Sequence, residues 1–91
     1  VAGSMKPLYE VRLTSYAERG FSKLPPNVYR VLRGALLVLA ENPRPPGCKK
    51  LRGRSNQWRI RRGDYRIIYE VEDAVLRVLV VEVGKRDSVY E

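Results

Sequence analysis

The four residues Arg62-Gly63-Asp64-Tyr65 constrain the fold more than any other part of this sequence. Glycine at the first of two central positions is typical of a two-residue β-hairpin turn, in which Arg62 lies opposite Tyr65. Counting outward from the turn gives four further pairs of facing residues: Arg61 with Arg66, Ile60 with Ile67, Arg59 with Ile68, and Trp58 with Tyr69. Because successive pairs point to alternate faces of a sheet, this turn also predicts which side chains share a face.

The two predicted faces of the hairpin differ in chemistry. One face carries the apolar and aromatic residues Trp58, Ile60, Ile67, Tyr69 and Val71, and we expect it to lie against the core. The other face carries Arg59, Arg61, Arg66, Ile68 and Glu70. This separation of apolar from charged residues supports the register.

Arg61 and Arg66 face each other directly in this register. Like charges at facing positions cost roughly 0.2–1 kcal/mol relative to a neutral pair, and folding alone gives no reason for that cost. A bound phosphate would give one, because guanidinium groups present planar forks of donors that match phosphate oxygens. The alternative is that these arginines pair with the protein's own acids, such as Glu70 or Glu82.

Two helices are predicted before the hairpin, after a short strand at 9–13. Ser15 and Glu18 form a capping-box signal for a short helix, which the prolines at 25–26 end. Pro26 also suits the first turn of a second helix, which Asn42-Pro43 terminates.

The second predicted helix has one apolar stripe with spacings of three and four residues. Its members are Val28, Val31, Leu32, Ala35, Leu36 and Leu39. Leu37 and Val38 lie beside the stripe. We interpret them as part of a wide core face, with a second apolar surface as the alternative.

Three extended segments follow, at 57–62, 65–71 and 75–83, where the hydrophobic period is two. A sheet of this size needs one face covered, and the two helices are the elements available to cover it. The predicted fold class is therefore α+β, with a small antiparallel sheet, two N-terminal helices packed on one face, and the order β-α-α-β-β-β. We expect a single domain at 5–91, with residues 1–4 before Met5 resembling the remnant of an expression tag.

The positive charge is concentrated in one segment. The chain has 18 basic and 10 acidic residues, a net charge of +8. Between Arg44 and Arg66 there are nine basic residues and one acid, so this segment carries the whole net charge. A basic block in an otherwise neutral domain indicates a polyanionic partner, and a merely solvated basic surface is the alternative.

Composition excludes several other classes of function. Cys48 is the single cysteine and histidine is absent, so an internal disulfide is impossible and a zinc site lacks enough of its usual ligands. We expect neither a metal nor another cofactor. No apolar stretch approaches the roughly 18 residues of a membrane span, and the N-terminus does not resemble a signal peptide. We therefore expect a cytoplasmic protein.

Several motifs, taken in order, resemble the RelE family of toxins within the RelE/ParE superfamily of type II toxin-antitoxin systems. They are Lys50-Leu51-Arg52-Gly53, Trp58-Arg59-Ile60-Arg61, the segment from Gly63 to Tyr69, Gly84-Lys85-Arg86 and Ser88-Val89-Tyr90. The likeness extends from about residue 9 to residue 90. It implies a curved antiparallel sheet with a helix pair on one face, in agreement with the pattern above.

The resemblance implies an endoribonuclease that cuts messenger RNA in the ribosomal A site. The ribose 2′-hydroxyl attacks the adjacent phosphate, no metal is needed, and translation stops. The implied catalytic residues are Arg59, Arg61, Arg66, Arg86 and Tyr90. Arg66 would stabilise the phosphate in the transition state, Arg86 the leaving 5′-oxygen, and Tyr90 would stack on a base. The remaining basic residues Lys49, Lys50, Arg52, Arg54, Arg62 and Lys85 would bind the RNA backbone.

Arg59 and Arg61 depart from the family pattern, which often has lysine at these positions. Arginine has a pKa above about 12 and is a poor proton acceptor, so the general base stays open, with Lys85 and Tyr90 as candidates by chemistry. The resemblance leaves two other functions open: a ParE-like inhibitor of DNA gyrase, and an inactive relative that only binds the ribosome. Under either toxin function the expected partner is an acidic antitoxin. Its C-terminal segment would wrap the domain and either cover the basic face or displace the tail at Tyr90.

Overall fold

The computed structural model describes residues 8–53 and 55–85. Two helices pack with a five-stranded sheet, in the predicted order with one short additional strand. The elements are β1 (Glu10–Leu13), α1 (Ser15–Ser22), α2 (Pro26–Glu41), β2 (Lys49–Lys50), β3 (Gln57–Arg62), β4 (Tyr65–Glu72), a 3-10 turn (Asp73–Val75) and β5 (Arg77–Lys85). The fold class is α+β, as predicted. Within the described residues no helix is long and apolar enough to cross a membrane.

The sheet is mixed rather than purely antiparallel. Its strand order is β1-β5-β4-β3-β2, and the four strands from β2 to β5 are antiparallel as expected. β1 instead runs parallel to β5, with Val11 beside Val78 and Leu13 beside Val80. The sequence carried no signal for this direction, because the partner of β1 lies at the far end of the chain and is selected by the packing of both strands under the helices.

The predicted hairpin register is confirmed at every pair from Arg62–Tyr65 to Trp58–Tyr69. Gly63 has φ +60°, the left-handed conformation that this turn requires at its first central residue and that glycine adopts without strain. The turn chemistry therefore sets the relative position of β3 and β4.

The two helices begin and end close to the predicted positions, with one correction at the cap of α1. The N-cap is Thr14 and not Ser15: the Thr14 Oγ1 accepts a hydrogen bond from the Ala17 backbone N–H at 3.1 Å. Thr14 caps a free backbone N–H of the first turn from one residue before Ser15, so Ser15 is the first helical residue. Pro26 is the first residue of α2, as predicted.

The core lies between the helix pair and one face of the sheet. It contains Ala17 and Phe21 from α1, Leu32, Ala35 and Leu39 from α2, and Ile60, Ile67, Tyr69, Val71, Val78, Val80 and Val83 from the sheet. The expected wide core face of α2 is wrong, because Val31, Leu37 and Val38 are exposed. The helix touches the sheet along a narrower stripe, and the side chains at its flanks are left on the surface.

A β-bulge in β5 places a small apolar cluster on the opposite face of the sheet. Ile68 pairs with Glu82 and Tyr69 with Val80, so Val81 is an extra residue on β5. Val81 packs with Leu51 and Ile68, away from the main core. The arginine-bearing face therefore has an apolar centre.

Candidate nucleic-acid interface

Four basic residues lie together on β2, β3 and β4, on the face of the sheet that points away from the helices. Lys49 on β2 is beside Arg59 on β3, and Arg61 on β3 is beside Arg66 on β4. Gly84 of β5 lies beside Arg66 and has no side chain there. We call the surface formed by Lys49, Arg59, Arg61 and Arg66 the arginine face.

The arginines of this face differ in exposure. Arg59 and Arg66 are buried, with 5% and 6% of their surface exposed, whereas Arg61 is exposed. Both buried side chains take part in further interactions. Ile68 lies directly beside Arg59 and is fully buried. A charge held beside apolar side chains interacts more strongly with an anion than a charge in open water.

Glu70 and Glu82 lie on the same face and on the strands next to these cations. Glu70 on β4 accepts a hydrogen bond from the Gln57 amide at 3.2 Å, across the β3–β4 pair. Glu82 on β5 lies beside Ile68. Both carboxylates are half-buried. The positive charge is therefore densest toward the hairpin turn, where Arg61 and Arg66 face each other.

Three of the basic residues expected to bind RNA lie on the other face of the sheet. Lys50 pairs with Trp58, and its Nζ lies 5.9 Å from the centre of the indole ring. The Arg62 guanidinium donates a hydrogen bond to the Arg61 carbonyl at 2.7 Å, and Arg62 lines a cleft against α2. Lys85 is one residue beyond Gly84 and so points to the opposite side. Strand alternation separates these three from the arginine face.

The other expected site residues fall outside the sheet or outside the described chain. Arg52 is exposed in the turn that follows β2. Arg54, Arg86 and Tyr90 lie outside the described residues, so their predicted roles stay predictions. The structure thus brings together Lys49, Arg59, Arg61 and Arg66 from the predicted set.

An ion-pair cluster that the sequence did not reveal anchors the loop before β2. The Arg44 guanidinium makes two contacts with the Asp73 carboxylate, at 2.9 and 3.3 Å, and the Tyr9 hydroxyl donates to the same carboxylate at 2.6 Å. Arg44 also lies 5.0 Å from the centre of the Trp58 ring. We call Tyr9, Arg44, Trp58 and Asp73 the loop clamp. Its members are far apart in sequence, so no spacing pattern could have shown it.

The loop clamp shifts the pKa values of Asp73, Tyr9 and Arg44. The Arg44 guanidinium and the Tyr9 hydroxyl hold the pKa of Asp73 below its usual value, because both donate hydrogen bonds to the ionised carboxylate. The hydrogen bond to Asp73 raises the pKa of Tyr9, since it favours the protonated phenol.

Tyr69 holds the same loop from beneath. Its hydroxyl donates a buried hydrogen bond to the Pro43 carbonyl at 2.7 Å, and burial is the main cause that raises its pKa. The loop between α2 and β2 is therefore held by the loop clamp on its exposed side and by Tyr69 on its buried side.

Comparison with known proteins assigns the chain to a family. The model of the ParE toxin of the type II toxin-antitoxin system parDE matches residues 11–90. The chain belongs to this toxin family. Among curated proteins the toxin is similar to Toxin RelG of Mycobacterium tuberculosis, with 32% identity over 83 residues that cover 90% of this chain and 95% of the relative. It is also 29% identical to Toxin RelE of the same organism over 83 residues, 90% of this chain and 86% of the relative.

Solved structures of toxins with the RelE name share this fold. The RelBE2 toxin-antitoxin complex of M. tuberculosis matches with a TM-score of 0.77 and 32% identity, covering 91% of this chain and 95% of that chain. The isolated RelE toxin of E. coli matches with a TM-score of 0.76 and 32% identity, covering 85% and 83%. The RelE–RelB complex of Pyrococcus horikoshii matches with a TM-score of 0.78 and 25% identity, covering 90% and 99%. The expected resemblance to RelE/ParE toxins is confirmed.

Proposed function

We propose that the toxin is a ribosome-dependent endoribonuclease that cuts messenger RNA by attack of a ribose 2′-hydroxyl on the adjacent phosphate, without a metal ion. The observation that carries the proposal is the cross-strand pair of Arg61 and Arg66, beside the buried Arg59, on one face of the sheet. The two guanidinium groups present hydrogen-bond donors at facing positions, and a phosphate between them could accept from both.

The arrangement suits a reaction in which charge accumulates on phosphorus. Attack by the 2′-oxygen forms a phosphorane with more negative charge than the starting diester. Donors that are already in position stabilise that charge without reorganising during the reaction, and a contribution of about 3–4 kcal/mol per donor is typical. Arg66 is the best placed for this role, since it is buried and faces the exposed Arg61.

Two residues outside the described part of the chain, Arg86 and Tyr90, complete the proposed mechanism. Arg86 would neutralise the leaving 5′-oxygen, and Tyr90 would stack on a base and orient it. Arg59 and Arg61 are poor proton acceptors because the guanidinium stays protonated, so the 2′-hydroxyl proton must pass to another group. Lys85 points to the opposite side of the sheet from the arginine face, which leaves Tyr90 as the candidate by chemistry. Electrostatic stabilisation is therefore the main catalytic device that we assign to this toxin.

An antitoxin is the second proposed partner, besides the ribosome with its bound messenger RNA. Several structural relatives were solved as toxin-antitoxin complexes, among them those of M. tuberculosis and P. horikoshii. The net charge of +8 favours an acidic antitoxin that covers the arginine face, because opposite charge speeds association and suppresses wrong partners. Action on ribosomes implies that the toxin works in the cytoplasm.

The deciding experiment is cleavage of a defined messenger RNA on programmed ribosomes, with ribosome-free RNA in parallel. Arg66→Ala and Arg86→Ala are expected to reduce cleavage by about a hundredfold or more, as loss of one preorganised donor does in other enzymes. Arg19→Ala is the matched control, because it removes the same charge from α1, away from the arginine face. Circular dichroism of each variant checks folding.

Absence of cleavage by the folded wild-type toxin would refute the nuclease. Inhibition of gyrase supercoiling by the same preparation would then identify a ParE-like activity. Ribosome binding without cleavage or gyrase inhibition would identify an inactive relative.

A further inference from the structure

The β-bulge in β5 places an acidic side chain on the arginine face. Val80 and Val83 both belong to the core, and the two residues between them, Val81 and Glu82, lie on the opposite side of the sheet. Strict alternation would instead turn Glu82 toward the helices. Bulges are common beside active sites, because the extra residue re-aims a side chain in this way. The extra residue of β5 therefore brings one carboxylate to the cations.

The bulge is tied to the start of α1 through Thr14. The Thr14 hydroxyl donates a hydrogen bond to the Val81 carbonyl at 3.3 Å, and the Thr14 backbone N–H donates to the Val80 carbonyl at 2.9 Å. The same Thr14 hydroxyl oxygen caps α1. The backbone next to Glu82 is thus held by the helix that packs on the other side of the sheet.

Glu82 lies close to the cations of the proposed phosphate site. It pairs with Ile68, whose partner on the other side is Arg59. It is also diagonal to Arg66, which pairs with Gly84. Diagonal neighbours in an antiparallel pair lie roughly 7–8 Å apart, within reach of long side chains, and Gly84 contributes no side chain beside Arg66. A phosphodiester held by Arg66 therefore has a carboxylate within reach on the next strand.

The other acids on this face have partners in the folded chain. Glu70 accepts a hydrogen bond from the Gln57 amide, and Glu10 and Glu72 form ion pairs with arginines of β1 and β5. Among the described residues, no hydrogen bond or ion pair engages the half-buried Glu82 carboxylate. Of the acids near Arg66, Glu82 is thus the one available to a bound substrate.

We propose that Glu82 is the general base of the cleavage reaction and accepts the 2′-hydroxyl proton while Arg66 holds the phosphate. The inference rests on the proposed nuclease function and names the proton acceptor that the arginines cannot supply. An ionised carboxylate takes up a proton directly, whereas a tyrosine hydroxyl such as that of Tyr90 must first lose its own.

The proposed step balances with water as the only further reactant. The O–H bond of the 2′-hydroxyl breaks, its proton passes to a carboxylate oxygen of Glu82, and the 2′-oxygen forms a bond to phosphorus. The bond between phosphorus and the 5′-oxygen then breaks, and the 5′-oxygen takes a proton from water. The products are a 2′,3′-cyclic phosphate and a 5′-hydroxyl, and Glu82 returns its proton to water.

The variant Glu82→Gln separates this role from a purely electrostatic one. It keeps the size of the side chain and removes a negative charge from beside the cations. If Glu82 only weakened the positive potential, cleavage would be unchanged or faster in the variant. Loss of a general base has the opposite sign, and we expect the cleavage rate to fall by about a hundredfold or more.

Single-turnover cleavage of messenger RNA on saturating programmed ribosomes measures this rate. The Kd for ribosomes that carry a 2′-deoxy substrate, which cannot react, measures binding, and we expect Glu82→Gln to change it by less than about threefold. Glu70→Gln is the matched control, because it makes the same change on the same face, and its rate should stay within about threefold of the wild type. Tyr90→Phe compares the other candidate base, and circular dichroism checks the folding of each variant.

The outcomes distinguish the base from the nuclease function itself. If folded wild-type toxin does not cut, the nuclease function is wrong and the base with it. If wild-type toxin cuts and Glu82→Gln cuts equally fast, the nuclease stands and Glu82 is not its base. A hundredfold loss in Tyr90→Phe with a normal rate in Glu82→Gln would assign the role to Tyr90. Equal losses in Glu82→Gln and Glu70→Gln, or a matching rise in Kd, would also overturn the assignment.

Discussion

At the scale of single residues, the two glycines of the helices have opposite surroundings. A Cβ added to Gly20 of α1 would lie 2.8 Å from the Val83 carbonyl oxygen of β5. Backbone atoms cannot yield as the end of a flexible side chain does, so Gly20 allows α1 to pack closely against the sheet. Gly34 has no such neighbour. Helix propensity alone would treat these two positions alike.

Alanine at the two positions is therefore expected to act in opposite directions. Gly20→Ala should lower the free energy of unfolding by about 1–3 kcal/mol, because the overlap with β5 outweighs the gain in propensity. Gly34→Ala should raise it by up to about 1 kcal/mol, since propensity alone changes. Urea unfolding of both variants and the wild type measures the difference. Stabilisation by Gly20→Ala would contradict the close packing of α1 on β5.

At the scale of elements, the two-residue strand β2 depends on contacts outside itself. A strand this short has few backbone hydrogen bonds, so the preceding loop must place it. The loop clamp holds Arg44 between Asp73 and the Trp58 ring, and Tyr69 holds Pro43. Lys49 thereby reaches its position beside Arg59 on the arginine face.

The loop clamp should make stability depend on pH in the acid range. The pKa of Asp73 is lowered in the folded state, so its contribution is complete above the unfolded value of about 3.9 and is lost as pH falls through the folded pKa. Asp73→Asn should therefore lower Tm near neutral pH, and the difference from wild type should shrink below about pH 4. Thermal unfolding from neutral to acid pH tests this, with Asp64→Asn in the hairpin turn as the control. A difference that stays constant with pH would argue against the ion pair.

At the scale of the whole molecule, the sheet divides the basic residues between two surfaces. Lys49 and Lys50 are adjacent in sequence, yet one pairs with Arg59 and the other with Trp58. Both lysines are predicted to contact the RNA backbone, but the strand directs them to opposite faces of the sheet. The basic segment between Arg44 and Arg66 therefore places cations on both faces of the sheet.

Matched lysine variants test this division. Under the proposed function, Lys49→Gln should weaken binding to a short single-stranded RNA and reduce the slope of log K against log salt by roughly 0.7, the value for one phosphate contact. Lys50→Gln removes the same charge and should leave the slope close to that of the wild type. Fluorescence anisotropy at several salt concentrations measures both. Equal effects of the two variants would place RNA on both faces or at the edge between them.

Most of the local structure follows from the amino-acid sequence alone. Gly63 and its neighbours set the hairpin register, and the spacing of apolar residues located both helices, because turn geometry and periodicity are properties of adjacent residues. The register also predicted that Arg59, Arg61 and Arg66 share a face. The doubled valine at Val80-Val81 interrupts the alternation of β5 and could have revealed the bulge.

Which elements contact each other depends on the packing of the whole chain. In the folded chain β1 pairs in parallel with β5, Arg44 forms an ion pair with Asp73, and Val31 and Val38 lie outside the core. These features depend on groups that are distant in sequence, and their energies arise only when the chain is packed. A local pattern records which side of a helix or strand is apolar, but it does not record what will cover that side.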